Sequence, residues 1–94
     1  MRFVMIGHDG PRGAELRKQL RPSHLERLEK LDAEKRLILA GPFADKTGSL
    51  ILFEAESLEE AISWAKADPY VSGGVFSQYE VKPFIQIFPK SDAV

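Results

Sequence analysis

Apolar and polar positions along the chain fall into alternating blocks with distinct periods. Residues 2 to 8 (Arg-Phe-Val-Met-Ile-Gly-His) form a continuous apolar run closed by Asp9-Gly10-Pro11. That is the pattern of a strand buried on both faces and ended by a turn. Helical periodicity then covers residues 13 to 35. At about 100° per residue, Leu20, Leu28 and Leu31 fall within roughly 40° of His24 on the helical wheel, so an imidazole shares the apolar stripe. Pro22 lacks an amide hydrogen and biases Arg21 away from helical angles, which predicts a kink or break there and a main helix beginning at 22 to 24. Ser23 and Glu26 have capping-box spacing that fits such a start.

Leu37-Ile38-Leu39-Ala40 reads as a second strand ending at Gly41-Pro42. Asp45-Lys46-Thr47-Gly48 has the residues of a hairpin turn leading into a third strand, Ser49 to Phe53, paired antiparallel with the second. Ser57 and Glu60 repeat the capping-box spacing, and Leu58, Ala61, Ile62 and Ala65 supply the stripe of a second amphipathic helix that stops at about Asp68, before Pro69. Residues 69 to 74 read as a loop. Val75 to Lys82 alternates as a half-exposed strand, with Pro83 ending it or marking an edge. Phe84 to Phe88 adds a short strand, and Lys90 to Val94 are expected to fray.

The order strand, helix, strand, strand, helix, strand predicts an α+β fold: a ferredoxin-like βαββαβ antiparallel sheet with two helices on one face and the first and third strands central. Both central strands are apolar on both faces, and two helices cover only one. A second copy packed sheet to sheet is the simplest cover for the other face, so a homodimer is expected.

Composition narrows the function classes. Ninety-four residues fit a single domain spanning 1–94, small enough to gain from a partner's buried area. A net charge of -1 favours neither nucleic acid nor an anionic membrane as partner. The absence of cysteine excludes disulfides, thiolate nucleophiles and Cys-ligated metal sites. The apolar run after Met1-Arg2 is too short for a signal peptide, and no run approaches the ~20 residues needed to span a bilayer, so a soluble cytoplasmic protein is expected. Two histidines without a helical His-x-x-x-His pattern give no metal site, and no glycine-rich phosphate loop is present. The third strand lacks the basic and aromatic signature of RNA-recognition modules.

Read from the residues alone, His24 is either a core histidine satisfied by a hydrogen bond or a general acid/base at the edge of a cleft. Arg21-Pro22-Ser23-His24-Leu25 with Leu28, Ala40-Gly41-Pro42, Gly48-Ser49, Glu56 to Ala61, Ala67-Asp68-Pro69-Tyr70, Gly74-Val75 and Val81-Lys82-Pro83-Phe84 together resemble the YciI (YCII-related) family over nearly the whole chain. The resemblance implies a dimeric α+β barrel. It also singles out a histidine and an aspartate as the active-site pair, which carry over onto His24 and Asp68. A carboxylate accepting one ring N–H would fix the tautomer and leave the other nitrogen for substrate. The competing reading of Asp68 is a helix-end or Asx-turn residue before Pro69.

Further candidates are substrate-binding ones. Ser49 either donates to a substrate oxygen or is a turn serine; Tyr70 lines the cleft or packs in an interface; Arg21 holds an anionic substrate or is a solvated helix-start residue. His8-Asp9 read as turn residues. The other lysines and arginines between 12 and 36 alternate with acidic residues, as on a solvated helix face. The resemblance implies a small-molecule enzyme performing proton transfer on a small cyclic or phenolic organic acid, of lyase (dehydrochlorinase-type) or isomerase character, with no cofactor. The alternative is a non-enzymatic dimeric module that binds a small ligand or another protein.

Overall fold

The computed structural model describes residues 1–90, so the expected fraying of Lys90 to Val94 falls, beyond Lys90, outside the described residues. The elements are β1 (Arg2–Asp9), α1 (Gly13–Ala33), β2 (Leu37–Pro42), β3 (Gly48–Glu54), α2 (Leu58–Lys66), α3 (Pro69–Ser72) and β4 (Phe76–Phe84). All neighbouring strands pair antiparallel in the order β2-β3-β1-β4. The two most apolar strands, β1 and β3, are therefore the central ones, and the architecture is the α+β, ferredoxin-like one.

Cross-strand register explains how one face became the core. Phe3 stands opposite Phe53, Met5 opposite Ile51 and Gly7 opposite Ser49, and residues directly opposite point to the same side. The large members of this set join Leu31 of α1, Ala61 and Ala65 of α2, and Tyr70 of α3 in one cluster. Gly7 is required by close approach: a Cβ there would stand 2.5 Å from the ring of Phe76. The opposite face carries Val4, Ile6, Leu50 and Leu52, with the exposed Leu39 of β2 beside them and the polar Gln78, Glu80 and Lys82 of β4 at its other margin. None of the helices covers that face. No helix among the described residues is long and apolar enough to cross a membrane.

Several local expectations are corrected. The first helix is continuous from Gly13 to Ala33 and passes through Pro22, so His24 lies in its middle and Ser23 caps nothing. Pro22 and Ser23 are exposed, and so is Lys18, whose carbonyl loses its partner; a freed carbonyl on a wet face is satisfied by water, while the buried face on either side keeps the helix unbroken across Pro22. At the second helix Ser57 does cap, accepting the Glu60 amide at 3.1 Å. The expected loop contains α3, with Asp68 as its N-cap and Pro69 at the first helical position. His8 and Asp9 end β1 rather than forming the turn. Pro83 lies inside β4, which tolerates it because β4 is an edge strand. Residues 85–88 form no strand; Gln86 accepts from Arg2 and donates to the Pro89 carbonyl at 2.9 Å in place of a ladder.

Replacing Pro22 with alanine returns an amide hydrogen to the Lys18 carbonyl and removes the ring from a helix interior. Pro22→Ala is expected to raise the unfolding free energy by roughly 1–3 kcal/mol in urea melts. An unchanged or lower midpoint would show that α1 has adapted fully to the proline.

Candidate functional site

The site begins with a carboxylate that has no contact with water. Asp68 is 0% exposed. Its backbone is extended, and its side chain accepts the Tyr70 amide at 2.8 Å, so the same group that starts α3 is left facing the middle of α1. His24 reaches it there: Nδ1 lies 2.9 Å from Oδ1 and 3.1 Å from Oδ2. The carboxylate collects donors only, since Arg27 Nη1 lies 3.6 Å from Oδ2 on its other side. Nδ1 therefore carries the ring hydrogen and donates it. The two residues expected to pair do meet, although they are 44 positions apart.

Aromatic packing fixes the imidazole plane. The His24 and Tyr70 rings stack with centroids 3.8 Å apart and 6° between planes, and Tyr70 in turn meets Phe76 edge-on at 5.6 Å and 89°. Phe76 has its place because Gly7 leaves room above the sheet. His24 Nε2 has no hydrogen-bond partner among the described residues, yet it is not among the atoms sealed from solvent. It opens on a cavity of about 310 Å³, at the small end of ligand-pocket sizes.

That cavity lies between α1 and the helix-side face of β2 and β3, and its lining includes Arg17, Arg21, His24, Ser49, Ile51 and Tyr70. All the residues expected to touch substrate, Ser49, Tyr70 and Arg21, are among them. Lys18 adds a third cationic side chain, and no carboxylate lines the cavity among the described residues. Arg21 and Lys18 form no ion pair among the described residues, so their charge is available to an anion. The apolar wall is supplied by Ile51, Leu28 and the Tyr70 ring.

The interleaved charges of α1 predict a solvated Arg17, and the structure turns it inward. Its Nε and Nη2 donate to the two Asp9 oxygens, both at 2.8 Å, a bidentate pair. Nη2 also donates to Ser49 Oγ at 2.9 Å, and the guanidinium lies 5.0 Å from the centre of the Tyr70 ring. The Asp9 hydrogen bonds raise the Arg17 guanidinium further above its ordinary range. Because Ser49 Oγ accepts from Arg17, the serine hydrogen is left to donate into the cavity. Burial pushes the Tyr70 phenol up, opposed by the charge of Arg17, so its hydroxyl is a donor at neutral pH. Spacing held the signal for Arg17: it precedes His24 by seven residues, about 20° away on the wheel. Asp9 gave no such signal, because its role depends on the bulge that shifts register between His8 and Asp9.

Among the described residues no three His, Cys, Asp or Glu side chains gather as a metal site would need. What the arrangement offers chemically is a proton acceptor at Nε2, hydroxyl donors at Ser49 and Tyr70, and positive charge at the rim.

A sequence profile of the YCII-related domain matches residues 1–85. Protein YciI of Escherichia coli O6:H1 is 43% identical over 98 residues, covering 94% of this chain and 100% of its own length. An uncharacterized protein of Haemophilus influenzae is 40% identical with the same coverage. The 5-chloro-2-hydroxyhydroquinone dehydrochlorinase TftG of Burkholderia phenoliruptrix AC1100, solved in complex with 2,5-dihydroxybenzoquinone, superposes with a TM-score of 0.80 at 30% identity, covering 90% of this chain and 94% of that one.

Removing the Asp68 side chain leaves His24 Nδ1 and the Tyr70 amide without their shared acceptor and the half-buried Arg27 guanidinium without its counter-charge. Asp68→Ala is expected to lose about 3–5 kcal/mol of stability, and Asp68→Asn, which keeps the cap but not the charge, a smaller part of it. Chemical denaturation measures both. A loss below about 1 kcal/mol for the alanine variant would contradict the geometry described.

Proposed function

The chain belongs to the YCII-related domain family, and on that premise we propose that it is a small-molecule enzyme in which His24 and Asp68 perform acid/base chemistry on a small cyclic or phenolic organic acid. The observation that carries this reading is the anchored imidazole: one nitrogen tied to a sealed carboxylate, the other open to a cavity lined by cations. A histidine kept only for the core would have no reason to leave Nε2 unpartnered beside that cavity.

In the proposed step, Nε2 takes a proton from a ring hydroxyl or an acidic C–H of the bound substrate. The electron pair released moves into the conjugated ring and is protonated at a ring carbon by the imidazolium, which completes a tautomerisation. Where that carbon bears chlorine it is then tetrahedral, and a second proton taken by Nε2 releases the electron pair that expels chloride, for a net loss of HCl. Proton and electron pair both balance without an oxidant or reductant. Asp68 holds the tautomer and stabilises the imidazolium as it forms. Ser49 and Tyr70 donate to the developing oxyanion, and Arg21 with Arg17 favours the anionic form in the cavity. That TftG acts on a chlorinated hydroxyhydroquinone supports a phenolic substrate class for this site.

A second copy completes the molecule in this reading. The uncovered face carries Val4, Ile6, Leu50 and Leu52 in one patch, and sheet-to-sheet packing of two copies buries it.

His24→Gln is expected to lower turnover of chlorinated or enolisable hydroxyquinones by about 10²–10⁴-fold in a protein that still folds, with a lower thermal midpoint from the lost stacking on Tyr70. A wild-type protein that binds such ligands in calorimetry but never turns them over would place it instead among non-enzymatic binding modules. Leu50→Glu puts a charge in the centre of the uncovered face. Sedimentation at micromolar concentration is expected to show a dimer for the wild type and a monomer for the variant; a wild-type monomer would remove the second copy from the account.

A further inference from the structure

Arg27 is unexplained by the site as described so far. It does not line the cavity, yet its Nη1 is sealed from solvent with no hydrogen-bond partner, an unusual condition for a guanidinium nitrogen. The side chain is held in place by other means. Nη2 donates to the Trp64 carbonyl at 2.9 Å, and the guanidinium lies 4.5 Å from the centre of the Trp64 ring. Those two contacts leave Nη1 pointing at Asp68, 3.6 Å from Oδ2, too far for a hydrogen bond and close enough for a strong charge interaction.

The chemistry of the group decides what this charge does. A carboxylate with no exposure to water needs one positive charge nearby, because an uncompensated buried anion is strongly disfavoured. Two side chains can supply it. Were Arg27 absent, the remaining candidate would be His24 itself, held as imidazolium in an ion pair with Asp68. With Arg27 present, the cluster is already balanced while the imidazole is neutral, and protonating His24 would add a surplus charge beside a fixed one. The other groups near His24 act the same way: Arg17 over the Tyr70 ring, and Arg21 and Lys18 beside His24 on α1 in the cavity lining, are all cationic. Tyr70, stacked on the ring, is uncharged at neutral pH.

We propose that Arg27 is a positioning residue whose fixed charge on the far side of Asp68 keeps His24 unprotonated, so that Nε2 is available as a base. The proposal rests on the acid/base reading only for its consequence in catalysis; the charge balance itself stands apart from any reaction. It also accounts for the orphaned Nη1, which serves as a counter-charge for Asp68 and needs no hydrogen bond to do so.

The chain has two histidines, so their ring signals can be assigned by single substitution and followed by NMR through a pH titration. In Arg27→Met the His24 titration midpoint is expected to rise by about one pH unit. In Arg27→Lys, which retains the charge, it is expected to stay near the wild-type value, and His8, exposed beside Glu80, should not move in either. Should Arg27→Met fail to fold, Arg27→Gln keeps a donor for the Trp64 carbonyl while removing the charge, and the same rise is expected. A His24 midpoint unmoved in a folded neutral variant, or moved equally by Arg27→Lys, overturns the proposal. Where a reaction is observed, the acid limb of its pH profile should shift in parallel. A shifted NMR midpoint with an unshifted profile would leave Arg27's role intact and remove His24 as the base.

Discussion

A carboxylate shut away from water is the constraint around which this molecule is arranged. Asp68 has no exposure, so every one of its interactions must come from protein. The Tyr70 amide meets it from α3, His24 and Arg27 meet it from two successive turns of α1, and Arg27 at the same time reaches the Trp64 carbonyl of α2. Three helices are thereby brought into register by one side chain. Apolar packing of Leu31, Ala61 and Ala65 on the sheet supplies the bulk of the burial, but it is non-directional. The polar cluster is what sets how α1 lies against the α2–α3 junction.

From that junction the order passes outward through rings. Gly7 lets Phe76 lie against the sheet, Phe76 meets the edge of Tyr70, and Tyr70 stacks on His24. The imidazole is thus fixed in plane by stacking and in rotation by Asp68, with both restraints anchored in the rigid part of the fold. Site geometry of this kind depends on supporting residues as much as on the groups that touch a ligand. Arg17 plays the same supporting part on the cavity side, tying Asp9 of β1 to Ser49 of β3.

How much of this could be read in the amino-acid order differs from element to element. The apolar runs of β1 and β3 declared central strands because period and length agreed, and the wheel put His24 on the buried stripe. The Ser57 cap was legible for the same reason: a local motif with a local partner. Pro22 misled, because a local preference against helix lost to the packing of the residues before and after it. The turn α3 was hidden only by its brevity, as Asp68 followed by Pro69 is a helix-start signal. Arg17 and Arg27 were hidden differently. Interleaved charges look the same whether they face water or reach back to a buried partner, and the partners here, Asp9 and Asp68, come from distant parts of the chain.

The two prolines that interrupt strands stand at opposite margins of the sheet, Pro42 on β2 and Pro83 on β4. An extended segment arriving at either margin meets a residue with no amide hydrogen to offer, and on β4 the charges of Glu80 and Lys82 as well. Lateral growth of the sheet from molecule to molecule is discouraged at both ends. Contact between copies is thereby steered away from the margins and toward the uncovered broad face, where a twofold contact would be closed by its own symmetry. The same residues that look like flaws in the strands thus favour a finite assembly over a fibre.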